Sequence, residues 1–159
     1  MQKERLHILQ NMPVFGGIRE DILEYLLDMV EIVSVPEGKY FFREGETSNC
    51  MFVLEQGKVA VLKSWKGRDY LLMEFGKGDC FGEMSLIDLG PRTASVLALE
   101  ACSALKLSNT TILRIYQQDL EQFTMIQMNM GREVSRRLRR MDEELFQMRV
   151  ETQQIREKP

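Results

Sequence analysis

The chain contains 159 residues, of which 44% are hydrophobic and 28% are charged, so it has enough apolar material for one domain-sized core. Its net charge of −3 argues against a chain that attracts nucleic acid through overall charge. No window approaches the run of about 18 apolar residues that crosses a membrane. Three cysteines without CxxC spacing and a single histidine, His7, argue against a disulfide framework and a metal site. We therefore expect a cytoplasmic protein with no membrane span and no metal.

Residues 1–30 are predicted to form N-terminal helices. A short helix is expected from Glu4 to Met12, where Pro13 follows, and a second from Arg19 to Val30. Apolar residues recur every three or four positions along the second helix, at Ile22, Leu23, Leu26, Leu27 and Val30.

Residues 31–108 change to short β-branched and aromatic runs separated by Gly and Pro turns. The predicted strands are Glu31–Val35, Tyr40–Arg43, Met51–Glu55, Lys58–Ser64, Asp69–Phe75, Ser95–Leu99 and Cys102–Leu107. A parallel α/β sheet would need crossover helices between the strands, and the pattern predicts none. We therefore expect a mainly β domain, a sandwich or a jelly-roll barrel, with flanking helices.

Residues 109–159 are predicted to be helical and to serve as hinge and dimerisation helices. Asn109 is a candidate cap for a short helix to about Gln117, and a long helix follows from about Asp119. Apolar positions on the long helix are spaced alternately by four and three, at Val134, Leu138, Met141, Leu145, Met148, Thr152 and Ile155, with Thr152 as the polar exception. This seam favours a coiled-coil homodimer. The alternative is a helix that packs back on its own β domain.

The same helix is basic between residues 132 and 140. Five arginines accompany one acid, Glu133, in this stretch: Arg132, Arg136, Arg137, Arg139 and Arg140. A basic helix can bind phosphate backbones or a membrane surface. However, no aromatic residue is interleaved and no recognition helix is predicted, so we expect a solvated face with some arginines paired to acids. No DNA contact is expected from this chain alone.

Residues 81–96 carry the most specific chemistry. Backbone N–H groups at the start of a short helical turn, around Gly82 and Ser85, can bind an anion. Arg92 at the end of the segment can donate to two oxygens of a phosphate. Glu83 would repel a phosphate, but a carboxylate accepts hydrogen bonds from a sugar diol. These residues suit a small ribose phosphate, and the alternative is a Glu83–Arg92 ion pair that holds the loop.

The segment resembles the phosphate-binding cassette of the cyclic nucleotide-binding domain family. That family includes bacterial catabolite activator proteins, kinase regulatory subunits and cyclic-nucleotide-gated channels. Its pattern is an apolar residue, Gly, Glu, any residue, a small and an apolar residue, a short spacer, then Arg, a small residue, Ala, any residue and an apolar residue. The stretch from Phe81 to Val96 fits every position. Gly45-Glu46, Met51–Leu54 and Gly57 also resemble the family, whereas Ser48 stands where Gly, Ala or Cys is more usual.

The resemblance implies an eight-stranded β-roll of the jelly-roll type and a cyclic nucleotide ligand. Arg92 and the N–H groups of Ser85 and Thr93 would hold the phosphate, and Glu83 with the Gly82 carbonyl would bind the ribose 2′-hydroxyl. The ligand-binding residues that it implies are Gly82, Glu83, Met84, Ser85, Arg92, Thr93, Val61, Met73, Arg137 and Met141.

The resemblance leaves the choice of base open. It places Arg137, Met141 and Asp142 near the purine, but the activators have hydroxyl side chains at the last two positions. Thr93 directly after Arg92 is shared with many cGMP-responsive members and with some cAMP-responsive channels. We expect cAMP as the ligand, with cGMP as the alternative.

We therefore expect a regulatory sensor that couples nucleotide binding to movement of its C-terminal helices. One alternative is the regulatory fragment of a catabolite-activator-type transcription regulator without its helix-turn-helix domain. Another is a degenerate module that binds no nucleotide and only dimerises. An enzyme on a β-roll, such as a metal-dependent cupin, is disfavoured because His7 is the lone histidine and Glu83 has no partner base.

Overall fold

The computed structural model describes residues 2–157. The helices are α1 (Gln2–Gln10), α2 (Glu20–Leu27), α3 (Met84–Asp88), α4 (Asn109–Gln118) and α5 (Leu120–Arg156), with a 3₁₀ turn at Pro13–Phe15. The strands are β1 (Glu31–Val35), β2 (Tyr40–Phe42), β3 (Cys50–Gln56), β4 (Val59–Trp65), β5 (Arg68–Phe75), β6 (Cys80–Phe81), β7 (Ser95–Ala98) and β8 (Cys102–Ser108). The predicted mainly β fold with flanking helices is confirmed.

The predicted strands are all present, and each end lies within one residue of its expected position. The sequence pattern misses β6 because a strand of two residues, Cys80–Phe81, is too short to show a period. The predicted cap of α4 is wrong by one residue, since the Ser108 hydroxyl, and not Asn109, accepts a hydrogen bond from the Thr111 N–H at 3.3 Å. Helix α2 ends at Leu27, three residues before the expected Val30.

The strands form two four-stranded antiparallel sheets. The strand order is β1-β8-β3-β6 in one sheet and β2-β7-β4-β5 in the other. Short turns join several neighbouring strands, and the β4–β5 hairpin turns at Lys66-Gly67, both with positive φ. Two stacked antiparallel sheets give the jelly-roll architecture that the strand spacing predicts.

The central strand β3 is buried on both faces and separates two cores. Met51 and Val53 face a core built mainly from the N-terminal helices, α4 and the start of α5. Phe52 and Leu54 face the core between the two sheets, where aromatic rings including Phe81 pack together. Burial on both faces explains why β3 reads as a continuous apolar run and not as an alternation.

Helix α5 is anchored at its start and contacts the β domain again through Arg137, about halfway along its length. Ile126 and Met130 are buried against the 3₁₀ turn, and Asn129 donates a hydrogen bond to the Gly16 carbonyl at 2.9 Å. From Leu138 onward the apolar seam is exposed, with Leu138 at 58% and Met148 at 63% of full accessibility. The alternative in which this seam packs back on the chain's own β domain is therefore wrong.

Within residues 2–157, no helix is long and apolar enough to cross a membrane. The same residues contain no group of three or more His, Cys, Asp or Glu side chains arranged to hold a metal ion.

Candidate functional site

The cassette lies between β6 and β7, where the chain leaves one sheet and joins the other. After Phe81 the backbone turns at Gly82, forms α3, and turns again at Leu89, whose φ of 57° is left-handed. The Arg92 backbone is then tied to the loop before β3. Its N–H donates to the Glu46 carbonyl at 2.9 Å, and its carbonyl accepts from the Gly45 N–H at 2.8 Å. Both ends of the cassette are thus held by the β-roll.

Only glycine fits the backbone conformation and the space available at position 82. Its φ of +80° lies in the left-handed region that favours glycine. In addition, a Cβ added here would lie 2.5 Å from Nη1 of Arg92 and 3.4 Å from the Cys50 carbonyl oxygen. Any side chain at Gly82 would therefore displace the guanidinium of Arg92.

Arg92 is turned into the protein and is only 4% exposed. Its Nη1 donates to the Gly82 carbonyl at 3.0 Å, and Nη2 donates to the Cys50 carbonyl at 2.8 Å and to the Ser48 hydroxyl. The guanidinium carbon lies 3.8 Å from the centre of the Phe42 ring, a cation–π contact. The loop before β3 and strands β2 and β3 thus hold the side chain in one orientation.

Within the described part of the chain, no carboxylate pairs directly with the positive charge of Arg92. All of its hydrogen bonds go to neutral acceptors, and its buried Nε has no partner among the residues that the structure describes. Burial lowers the pKa of Arg92 below its ordinary value, although more distant carboxylates such as Glu46 and Glu83 oppose this. A buried cation with an unused donor is a site prepared for an anion.

Glu83 is paired with the C-terminal helix and not with Arg92. It is 5% exposed, and its Oε1 accepts a hydrogen bond from Nη1 of Arg137 at 2.5 Å. The alternative Glu83–Arg92 ion pair is therefore wrong in this structure. The Glu83–Arg137 pair joins the cassette to α5 across 54 residues of sequence.

Arg137 makes two further contacts that fix its orientation. Nη2 donates to the Cys80 carbonyl at 2.6 Å, and the guanidinium carbon lies 4.7 Å from the centre of the Phe75 ring. Burial by itself lowers the pKa of Arg137, but the charge of Glu83 and other neighbours raises it above the ordinary value. Burial also raises the pKa of the neighbouring Cys80 thiol to about 12, so this thiol is neutral at physiological pH.

The other residues expected at the site fall into two groups. Ser85 is buried at the start of α3, and Val61 and Met73 are register partners on β4 and β5 that pack against the inter-sheet core. By contrast, Met84 and Met141 are nearly half exposed. Thr93 is exposed too, and its carbonyl accepts a hydrogen bond from the Lys63 ammonium at 3.1 Å.

Sequence reasoning missed the residues that support the two arginines. Ser48, Cys50 and Phe42 hold Arg92, while the Cys80 carbonyl and the Phe75 ring hold Arg137. Two of these contacts use backbone carbonyls, which carry no residue-type signal. Ser48 was visible in the sequence only as a departure from the usual small residue.

A comparison with known protein families shows which family this chain belongs to. Residues 32–119, more than half of the chain, match the sequence model of the cyclic nucleotide-binding domain. This chain belongs to the cyclic nucleotide-binding domain family. The matched range contains the complete cassette, whereas all of α5, including Arg137, lies outside it.

Relatives of two kinds are similar to this cyclic nucleotide-binding domain. The cyclic AMP receptor protein of Thermus thermophilus is 28% identical over 142 residues, which are 86% of this chain and 62% of the relative. A CRP-like cAMP-activated global transcriptional regulator of Mycobacterium tuberculosis is 31% identical over 87% of this chain and 60% of its own length. The mouse cGMP-dependent protein kinase 2 is 34% identical over 62% of this chain but only 13% of the kinase. This chain thus spans less than two thirds of these relatives.

Solved structures show the same fold. A cyclic nucleotide-binding domain from Methylobacillus flagellatus matches with a TM-score of 0.82 and 22% identity over 92% of this chain and 83% of that chain. The Thermus thermophilus catabolite activator protein matches with a TM-score of 0.76 and 29% identity over 86% of this chain and 62% of its own.

Proposed function

We propose that this chain is a regulatory module that binds a purine cyclic nucleotide at the cassette between Gly82 and Thr93. The observation that carries the proposal is Arg92, a buried guanidinium that donates to neutral acceptors and whose Nε has no partner within residues 2–157. A cyclic phosphate would supply the missing negative charge and accept from Nε. Because Arg92 is only 4% exposed, the cassette must open locally before a phosphate reaches it.

The neighbouring groups support a ribose phosphate in particular. The N–H groups of Met84 and Ser85 precede the first intrahelical hydrogen bond of α3, which Leu86 donates to the Glu83 carbonyl at 3.0 Å. They are therefore available to phosphate oxygens. Glu83 uses Oε1 for Arg137, which leaves Oε2 to accept from the ribose 2′-hydroxyl. Arg137 is thus a positioning residue for Glu83.

The purine would lie beyond the sugar, towards β4, β5 and α5. Val61 and Met73 form an apolar wall there, and Met141 lies one helical turn beyond Arg137 on α5. We place cAMP first, because the bacterial relatives that cover most of this chain are named for cAMP. The similarity to a kinase named for cGMP makes cGMP the competing ligand. We infer a binding role and not a catalytic one, because His7 is the lone histidine and Glu83 has no partner base.

Titration calorimetry with cAMP and cGMP tests the binding proposal. Glu83→Gln is expected to weaken binding about tenfold, because a charged acceptor for the 2′-hydroxyl becomes a neutral one. The variant should also lose its preference over a 2′-deoxy analogue. Glu74→Gln, on a surface residue that pairs with Lys58, is the matched control and should bind as the wild type does. A wild type that binds the deoxy analogue equally well would contradict the role of Glu83.

We further propose that nucleotide binding is coupled to α5, and that α5 joins two copies of the chain. The Glu83–Arg137 pair supports the coupling, because a ligand that binds Glu83 acts on a residue already tied to this helix. The exposed seam supports the dimer. A cytoplasmic location agrees with three unpaired cysteines.

Hydrogen exchange tests the coupling directly. Saturating cAMP is expected to protect amides of residues 132–145 as well as those of the cassette, because the ligand orders the helix that holds Glu83. The start of α5 is held by its buried residues Gln122, Ile126, Asn129 and Met130, so residues 122–130 serve as the internal control with unchanged exchange. Protection confined to residues 81–95 would show that the nucleotide binds without affecting α5. Unchanged exchange throughout would agree with the degenerate module.

A further inference from the structure

The donor fork of Arg92 that suits a phosphate is half occupied in this structure. In a guanidinium group, Nε–H and one N–H of Nη2 point the same way, and together they can bind two oxygens of a phosphate. Nε of Arg92 has no partner within residues 2–157. Nη2, however, donates to the Ser48 hydroxyl and to the Cys50 carbonyl at 2.8 Å, so both of its N–H groups are in use. A phosphate that takes the whole fork must therefore displace one of these two acceptors.

The Cys50 carbonyl is the acceptor that stays in place. Cys50 is the first residue of β3, is 8% exposed, and has Ser108 on β8 as its register partner. The backbone just before it is tied to the same region, since the Asn49 carbonyl accepts from the Asn109 N–H at 2.9 Å. Moving the Cys50 carbonyl would disturb this buried ladder, whose backbone groups need their partners.

The Ser48 hydroxyl is the acceptor that can leave. Ser48 is half-buried between the exposed residues Thr47 and Asn49, so rotation about one side-chain bond takes its hydroxyl to water. The hydroxyl also has partners besides Arg92, because its oxygen accepts from the Cys50 N–H at 3.3 Å and lies 3.4 Å from the Cys50 Sγ. Ser48 can therefore release Nη2 with the loss of one hydrogen bond to a charged donor.

We propose that Ser48 is an affinity-determining residue of this chain, whose hydroxyl competes with the cyclic phosphate for Nη2 of Arg92 and so weakens nucleotide binding. This rests on the proposed function and adds which side chain sets the affinity of that same site. Ser48 stands where Gly, Ala or Cys is more usual, and the first two have no side-chain acceptor for a guanidinium. An alanine at position 48 would leave the fork of Arg92 open to the phosphate.

Titration calorimetry with cAMP and cGMP tests the direction of this effect. Ser48→Ala is expected to bind the nucleotide about fivefold more tightly than the wild type, because the phosphate no longer displaces a hydrogen bond to reach Nη2. Ser48→Thr keeps the hydroxyl and should stay within about twofold of the wild type. The matched control is Thr47→Ala, which removes a hydroxyl one residue earlier from an exposed side chain and should also stay within about twofold.

Thermal unfolding distinguishes this competition from a general loosening of the loop. Without nucleotide, Ser48→Ala leaves an N–H of the buried Arg92 unpaired, so its Tm should fall by about 2–4 °C. With saturating nucleotide the phosphate occupies the fork in both proteins, and the two Tm values should agree within about 1 °C. A variant that is less stable by the same amount in both states would show that Ser48 only supports the fold, which would overturn the inference.

The outcomes separate this inference from the proposed function. A wild type that binds a nucleotide, with a Ser48→Ala variant that binds it equally or more weakly, would overturn the competition while leaving the nucleotide site intact. The same gain in Thr47→Ala would also overturn it, because Arg92 makes no hydrogen bond to Thr47 within residues 2–157. Binding by neither the wild type nor Ser48→Ala would overturn the proposed function and this inference together, whereas binding by Ser48→Ala alone would support both.

Discussion

Replacing Arg92 with Ala is expected to abolish most cyclic nucleotide binding, with a loss of roughly 30- to 1000-fold in affinity. A charge-assisted contact to a partly buried phosphate contributes roughly 2–4 kcal/mol, and no other cation among the described residues of the cassette can replace it. Arg92→Lys should recover part of this loss, since it keeps the charge but lacks the planar fork and the Nε donor. Titration calorimetry with cAMP measures both variants.

Two controls make the Arg92 result specific. Arg43→Ala removes an exposed guanidinium that stacks on Tyr40 and should leave the affinity unchanged. Thermal unfolding of each variant shows whether the fold survives, because Arg92 also bonds the Gly82 and Cys50 carbonyls. A folded Arg92→Ala protein with wild-type affinity would contradict the assignment of the phosphate site.

The cassette could be predicted from sequence because its residues are contiguous. Glu83 and Arg92 lie nine positions apart in one short segment, so their chemistry and their family pattern can be read together. The environment of Arg92 could not be predicted in the same way. The Cys50 carbonyl lies 42 residues away, and a backbone acceptor leaves no trace in the residue types.

The contacts of Arg137 could not be predicted from the sequence either. The family resemblance predicts that Arg137 lies near the purine, but it does not predict the contacts with the Glu83 carboxylate, the Cys80 carbonyl and the Phe75 ring. A helix pattern gives the face that a residue occupies, not the partner that it meets after the chain folds. The Asn109 cap prediction is wrong because two adjacent residues can both cap a helix and only the backbone geometry selects Ser108.

The Glu83–Arg137 pair makes helix α5 part of the electrostatics of the cassette. An acid at a phosphate site is unfavourable unless another group holds it, and Arg137 supplies that group from α5. The charge of Glu83 is therefore balanced only when α5 holds Arg137 next to it. In the proposed complex, a movement of α5 that separates the pair would expose the charge of Glu83 beside the phosphate, and we expect it to weaken nucleotide binding.

Replacing both Leu138 and Leu145 with Lys is expected to convert the proposed homodimer to a monomer at micromolar concentration. The change removes four apolar side chains per dimer, each of which contributes about 1–3 kcal/mol when fully buried, and places charges at the centre of the seam. The dimer Kd should therefore rise by at least about 1000-fold. Sedimentation velocity across a concentration series measures the change.

The neighbouring Phe146 provides a matched control for the seam. Leu145 and Phe146 are similarly exposed in the single chain, at 49% and 57%, but only Leu145 lies on the a/d seam. Phe146→Lys should therefore leave the dimer unchanged, although it removes an apolar side chain of comparable exposure. If Phe146→Lys dissociated the dimer as fully as the Leu138/Leu145 variant, the contact would lie on another face of α5. A wild type that sediments as a monomer would contradict the seam outright, since these apolar side chains would then remain in water with nothing to cover them.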